Sequence, residues 1–229
     1  MERIVKTLLL GMFVTAFAFG AGAEIKPASR EGIEWCDIWI SHANETNLPR
    51  VLLIGDSITR GYYSGVEQRL AGKAYVARLT TSAFLSDPMF TQQIAMVLDN
   101  IKFDVIHFNN GMHGWQHSEA EYRKAFPKFI KTIKQHAPHA KLIWAATTPL
   151  KDSTNSTAGD PSHASNARVA ARNNIARECL KDKKIPVDDL FALVNGHIEY
   201  YNDGVHFNRE GIALQSEKVA ASIETLLPH

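Results

Sequence analysis

Apolar and polar positions alternate in blocks along the chain. Five short β-like runs stand out, at Arg50 to Gly55, Ala74 to Thr80, Asp104 to Asn109, Lys141 to Thr147 and, more weakly, Ile185 to Leu190. Between and after them lie stretches with helical spacing, near Tyr63 to Leu70, Met89 to Ile101, Glu119 to His136, Ser165 to Lys181 and Glu210 to Leu227. Strands that alternate with helices predict a central parallel sheet of about five strands with helices on both faces. The runs Val51-Leu-Leu-Ile54 and Leu142-Ile-Trp-Ala-Ala146 carry no polar alternation, which is the signature of strands covered on both sides. Ligands of such sheets bind outside the carboxyl ends of the strands. The chemistry is therefore expected just after each run, at Gly55-Asp-Ser57, Thr80-Thr-Ser82, Asn109-Asn-Gly-Met-His113 and Thr147-Thr-Pro149. Glu34-Trp-Cys-Asp-Ile-Trp39 alternates large apolar with polar residues before the first run and reads as a structural segment packed on the domain.

With 229 residues and no marked shift in composition, one domain is expected. A formal net charge of +1, without long basic runs, carries no electrostatic footprint for nucleic acid or an anionic membrane surface. Residues 1–23 form a short basic head, an apolar run from Thr7 to Gly20 and Ala21-Gly-Ala23, the pattern of a secretory signal peptide cleaved before Glu24. The apolar run is short for a bilayer span of ~20 residues. The mature domain, 24–229, is thus expected in the periplasm or outside the cell, with residues 24–49 as an N-terminal extension packed on it. In an oxidising compartment Cys36 and Cys179 either form one disulfide or stand as separate thiols.

Near the C-terminus the chain reads Tyr201-Asn-Asp-Gly-Val-His-Phe207. Asp203 and His206 are three apart, so a single turn can set the carboxylate on one ring nitrogen and leave the other facing outward, as a general base requires. Ser57, at the end of an apolar strand, is the alcohol such a base would activate.

Gly55-Asp-Ser57-Ile-Thr59 together with the late Asp203-Gly-Val-His206 resembles the GDSL/SGNH hydrolase superfamily. The resemblance implies a flavodoxin-like three-layer α/β/α sandwich, with Ser57 as nucleophile, His206 as base, Asp203 as its orienting acid, and no metal or organic cofactor. Two blocks depart from the family pattern. After the second strand a glycine is missing and Thr81 or Ser82 stands in its place, whose backbone N–H could still enter an oxyanion hole. After the third strand the family has G-x-N-D, whereas here Gly111-Met-His-Gly114 appears, a variant block similar to that of a subgroup of exported SGNH proteins. The oxyanion donors are then the Ser57 N–H, one near Ser82, and either Asn110 or His113. Candidate substrate contacts are Asp56, Gly111 and Trp115. Asp56 is read first as a turn organiser, and Trp115 either as a stacking face for a sugar or as a cap on the core. His107, His113 and His117 lack the spacing of a metal motif, and no metal ligand is assigned; His107 reads as a hydrogen-bonded residue of the core. Arg172, Asn173 and Asn174 read as solvent contacts or a structural network.

The resulting expectation is a serine esterase that removes a small acyl group, acetyl by preference, from a carbohydrate through an acyl-serine. The alternatives are a lipase or thioesterase, an acyltransferase, and a silent carbohydrate-binding relative.

Overall fold

The computed structural model describes residues 29–151 and 163–228. Residues 1–23, read from the sequence as a signal peptide, and nearly all of the polar loop from Lys151 to Ser162 lie outside the described residues.

Period-two geometry turns the apolar runs into a sheet with two buried faces. In β2 (Arg50–Gly55) Leu52 and Ile54 point to one side and Val51 and Leu53 to the other, all fully buried. The same division recurs in β4 (Val105–Phe108), with Ile106 and Phe108 opposite Val105, and in β5 (Lys141–Ala145), with Leu142 and Trp144 opposite Ile143. Each fully buried Leu or Ile contributes about 2 kcal/mol. One face is covered by α2 (Pro88–Asn100), α3 (Glu119–His136) and α4 (Asn166–Leu180). The other is covered by α1 (Ser57–Arg69), α5 (Leu190–Val194) and α6 (Arg209–Glu224). With β3 (Tyr75–Thr81) and the two-residue β6 (Val187–Asp188), these strands form the parallel part of the three-layer α/β/α fold.

The sheet has six strands rather than five, in the order β1-β3-β2-β4-β5-β6. The added strand, β1 (Cys36–Ile40), lies antiparallel to β3, with Cys36 opposite Thr81. Its alternation was legible, but five residues at a half-exposed edge carry too little apolar signal for a strand assignment. Ile38 and Ile40 pack on the core, while Asp37 binds Arg78 at 2.9 Å on the neighbouring strand. Cys36 and Cys179 are both free thiols, so β1 is held by its ladder and not by a disulfide.

From β2 the chain crosses to the β3 side of the sheet and then returns to the β4 side. The carboxyl ends of β2 and β4 flank that change of direction, where a crevice opens. Ser57 follows β2 and His113 follows β4.

Candidate active site

Asp56 ends the turn after β2 and caps α1, accepting the Ile58 N–H at 2.9 Å. That makes Ser57 the first residue of the helix. Its own N–H belongs to the first turn, which has no intrahelical acceptors, and the positive end of the helix lies beneath its hydroxyl. Asp56 is buried, organises the turn and does not line the cleft described below. Gly55 leaves room for the turn, because a Cβ there would fall 2.0 Å from Thr59 Oγ1.

The opposite wall is a short loop closed by a bridge between Tyr201 and Phe207, both buried. Tyr201 pins it to the loop after β5 by donating to the Pro149 carbonyl at 2.7 Å. Within the loop one Asp203 oxygen accepts the N–H groups of Val205 and His206, each at 2.7 Å, and the other meets His206 Nδ1 at 2.9 Å. The His206 and Val205 N–H groups, then the imidazole, hold the Asp203 carboxyl down at about 2. His206 Nε2 lies 2.9 Å from Ser57 Oγ. The three residues named from the sequence thus form one continuous hydrogen-bonded chain.

Beside them is an open cleft of about 630 Å³, lined by Ser57, His206, His113, Trp115, Trp35, Arg60 and Glu31 among others. His113 and Glu31 form a second acid–histidine pair: Nδ1 meets Glu31 Oε2 at 2.9 Å, while Oε1 accepts the Gly114 N–H at 2.8 Å. Burial alone pushes the imidazole towards neutrality. The hydrogen bond to Glu31 and the charges of Asp56, Glu31 and Glu34 outweigh it and raise His113 above its ordinary value. Burial likewise pushes Glu31 up, and the bonds from His113 and Gly114 reverse that into a net lowering.

The other expected oxyanion donors are placed elsewhere. The Ser82 N–H bonds the Trp35 carbonyl at 3.1 Å and its hydroxyl bonds Glu34 at 2.6 Å, because the segment before β1 lies along this strand end. The next N–H, of Ala83, bonds Thr81 Oγ1 at 3.1 Å. Asn110 is buried and donates its amide to the Ala83 carbonyl at 2.9 Å, away from the cleft. Gly111 does not line the cleft either: it is buried against Thr147, whose Oγ1 would be 2.0 Å from a Cβ.

Arg172, read from the sequence as a surface or network residue, is fully buried beneath this loop. It donates to the carbonyls of Gly111, His113 and Gly114 at 3.0, 2.8 and 2.9 Å. Burial lowers its guanidinium to about 10. Trp115 lines the cleft, and its ring centre lies 4.2 Å from the buried Arg172 guanidinium. Asn173 bonds both polar groups of the Thr147 backbone, while Asn174 is exposed. The three histidines go to different partners. His107 is buried against Asp188 at 3.1 Å, His113 meets Glu31, and His117 meets Glu121 at 3.3 Å and the Ser29 carbonyl at 3.0 Å. Among the described residues no group of three or more His, Cys, Asp or Glu could hold a metal, and no helix is long and apolar enough to cross a membrane.

The GDSL-like Lipase/Acylhydrolase family matches residues 53–214 of this chain. The chain belongs to that family. No protein of curated function matches it by sequence. Among solved structures, this acylhydrolase is similar to a carbohydrate acetylesterase from Sinorhizobium meliloti, at 14% identity and a TM-score of 0.64 over 78% of this chain and 99% of that one. It is similar also to an aryl esterase from M. smegmatis, at 14% identity and 0.61 over 78% and 100%. A carbohydrate esterase family 3 protein from Talaromyces cellulolyticus matches at 15% identity and 0.60 over 78% and 98%. At these identities the likeness is one of fold, and the family rests on the match over residues 53–214.

Proposed function

We propose that this hydrolase is a serine esterase that removes a small acyl group, acetyl above all, from a carbohydrate. The observation that carries the reading is the Ser57–His206–Asp203 chain at the mouth of a cleft walled by Trp35 and Trp115. Indole faces suit the apolar faces of sugar rings, and carbohydrate esterases are among the proteins of similar fold.

His206 donates from Nδ1 to Asp203 and accepts the Ser57 proton at Nε2 as Oγ attacks the ester carbonyl. The tetrahedral oxyanion is held by the Ser57 N–H and by His113. Collapse expels the alcohol, which takes the proton from His206 and leaves acyl-Ser57. Water then gives a proton to His206 and its oxygen to the acyl carbon, releasing the acid and restoring the serine. Asp203 holds the ring and stabilises the imidazolium throughout. Residues 1–23 act as an export signal, which N-terminal sequencing of the exported protein tests by finding Glu24 first.

The decisive experiment is acetate release from acetylated glycans by the chain starting at Glu24, with Ser57→Ala alongside and a chelator present. Release that requires Ser57 and ignores the chelator is the expected result. Turnover confined to long-chain acyl esters would replace the reading with a lipase or thioesterase.

A further inference from the structure

The N-terminal segment reaches the cleft through Glu31, a residue that no spacing in the sequence connects to the chemistry. Both of its oxygens are used on the loop after β4, one on the His113 ring and one on the Gly114 backbone. Gly114 is shaped for this contact: its φ is +70°, and a Cβ would lie 2.3 Å from the Phe84 ring. With Nδ1 facing a carboxylate, the neutral ring places its one proton there and offers only a lone pair at Nε2. A second proton makes Nε2 a donor. Nε2 has no hydrogen-bond partner among the described residues, on a ring that lines the same cleft as Ser57 and His206.

We propose that Glu31 is a positioning residue that holds the His113 ring and keeps it an imidazolium, so that Nε2–H supplies the oxyanion charge stabilisation. The inference rests on the esterase reading and deepens it. It assigns the N-terminal segment to the active site and gives the altered third block a cation where a neutral amide would otherwise serve. The charges around the ring agree with this. Glu31 and Glu34 face it from the N-terminal segment and Asp56 from the α1 cap, all negative. The Arg172 guanidinium is turned to backbone carbonyls, including that of His113 itself. Arg60, stacked on Trp35 at 4.9 Å from its ring centre, shares the cleft.

The raised imidazole is charged below its folded pKa and loses the proton as pH rises through it, so the oxyanion donor fails on the alkaline side. Glu31→Gln keeps the shape and removes the charge. With p-nitrophenyl acetate, Glu31→Gln should lower kcat about 10–100-fold with little change in KM, and draw the alkaline limb of the kcat profile to lower pH. In a His113→Asn background, whose amide donates at every pH, the same substitution should change kcat by less than about 2-fold. Independently of turnover, the His113 ring resonances in a Ser57→Ala protein should titrate at lower pH once Glu31→Gln is added.

An alkaline limb that does not move, or an equal loss in both backgrounds, would mean that Glu31 only braces the segment, and overturns the inference. A His113 titration insensitive to Glu31→Gln overturns it alone. Wild-type protein without Ser57-dependent turnover on any acyl ester removes the esterase reading, and the oxyanion role with it.

Discussion

Two acid–histidine pairs meet in one cleft at the same N···O distance of 2.9 Å, yet they are built in opposite ways. Asp203 and His206 are three residues apart, half exposed, and held by a loop whose own N–H groups clamp the carboxylate. Glu31 and His113 are 82 residues apart, less exposed, and brought together only when the N-terminal segment runs beside the end of β3. The local pair needs one turn of chain; the remote one needs the sheet. Their electrical surroundings differ accordingly. Backbone donors, with water nearby, keep Asp203 ionised, whereas around His113 burial opposes charge and three carboxylates overcome it. One pair is suited to pass a proton back and forth, the other to keep one.

The largest effect that would separate the pairs is on the serine itself. Ser57→Ala or His206→Ala should reduce kcat by about 10⁵-fold or more in a protein with unchanged circular dichroism and Tm. Retained activity in either would remove the local pair from the chemistry. Asp203→Asn should cost about 10³–10⁴-fold, since the ring loses its orienting charge and tautomer while the loop can still form.

On the other side of the comparison, His113→Ala should cost about 10²–10³-fold in kcat, and His113→Asn should recover most of it, because the lost element is a single oxyanion donor. Equal damage from both variants would point to a structural role for the ring. Arg172→Ala, which leaves three buried carbonyls without their donor, should lower unfolding free energy by about 3 kcal/mol in urea. It should also impair the His113 loop more than the His206 loop, which ring resonances of the two histidines can report.

The smallest effect concerns acid stability. Asp203 has a depressed pKa, so its contribution is present above its unfolded value and disappears as pH falls through about 2. The contribution is modest for so exposed a pair. Replacing Asp203 should therefore flatten the acid limb of the Tm profile only slightly. The Glu31–His113 pair adds stability between the lowered Glu31 pKa and the raised His113 pKa, and loses it as pH leaves that window on either side.

Much of this was legible before any coordinate. Val51-Leu-Leu-Ile54 declared a doubly covered strand, the helical spacing from Glu119 to His136 matched α3, and Asp203-Gly-Val-His206 contained its own geometry. Other features were not. The helix after β2 begins at Ser57, six residues before its apolar spacing becomes clear at Tyr63, because a cap and not a stripe starts it. Arg172 sits among ordinary helical positions and looks solvent-facing until the loop carbonyls it serves are placed over it. Ser82 and Asn110 had suitable chemistry at suitable positions, and lost it to the Trp35 and Ala83 carbonyls, which compete for the same donors.

The sequence by itself determined the alternating order of strands and helices, the placement of Ser57 after a buried strand, and the Asp203–His206 couple, since each depends on interactions spanning a few residues. Only the tertiary structure decided that His113 and not Asn110 faces the cleft, that Glu31 is its partner, and that an antiparallel edge strand carries that glutamate into place. Those depend on contacts whose closure across many residues leaves no periodic mark on the chain.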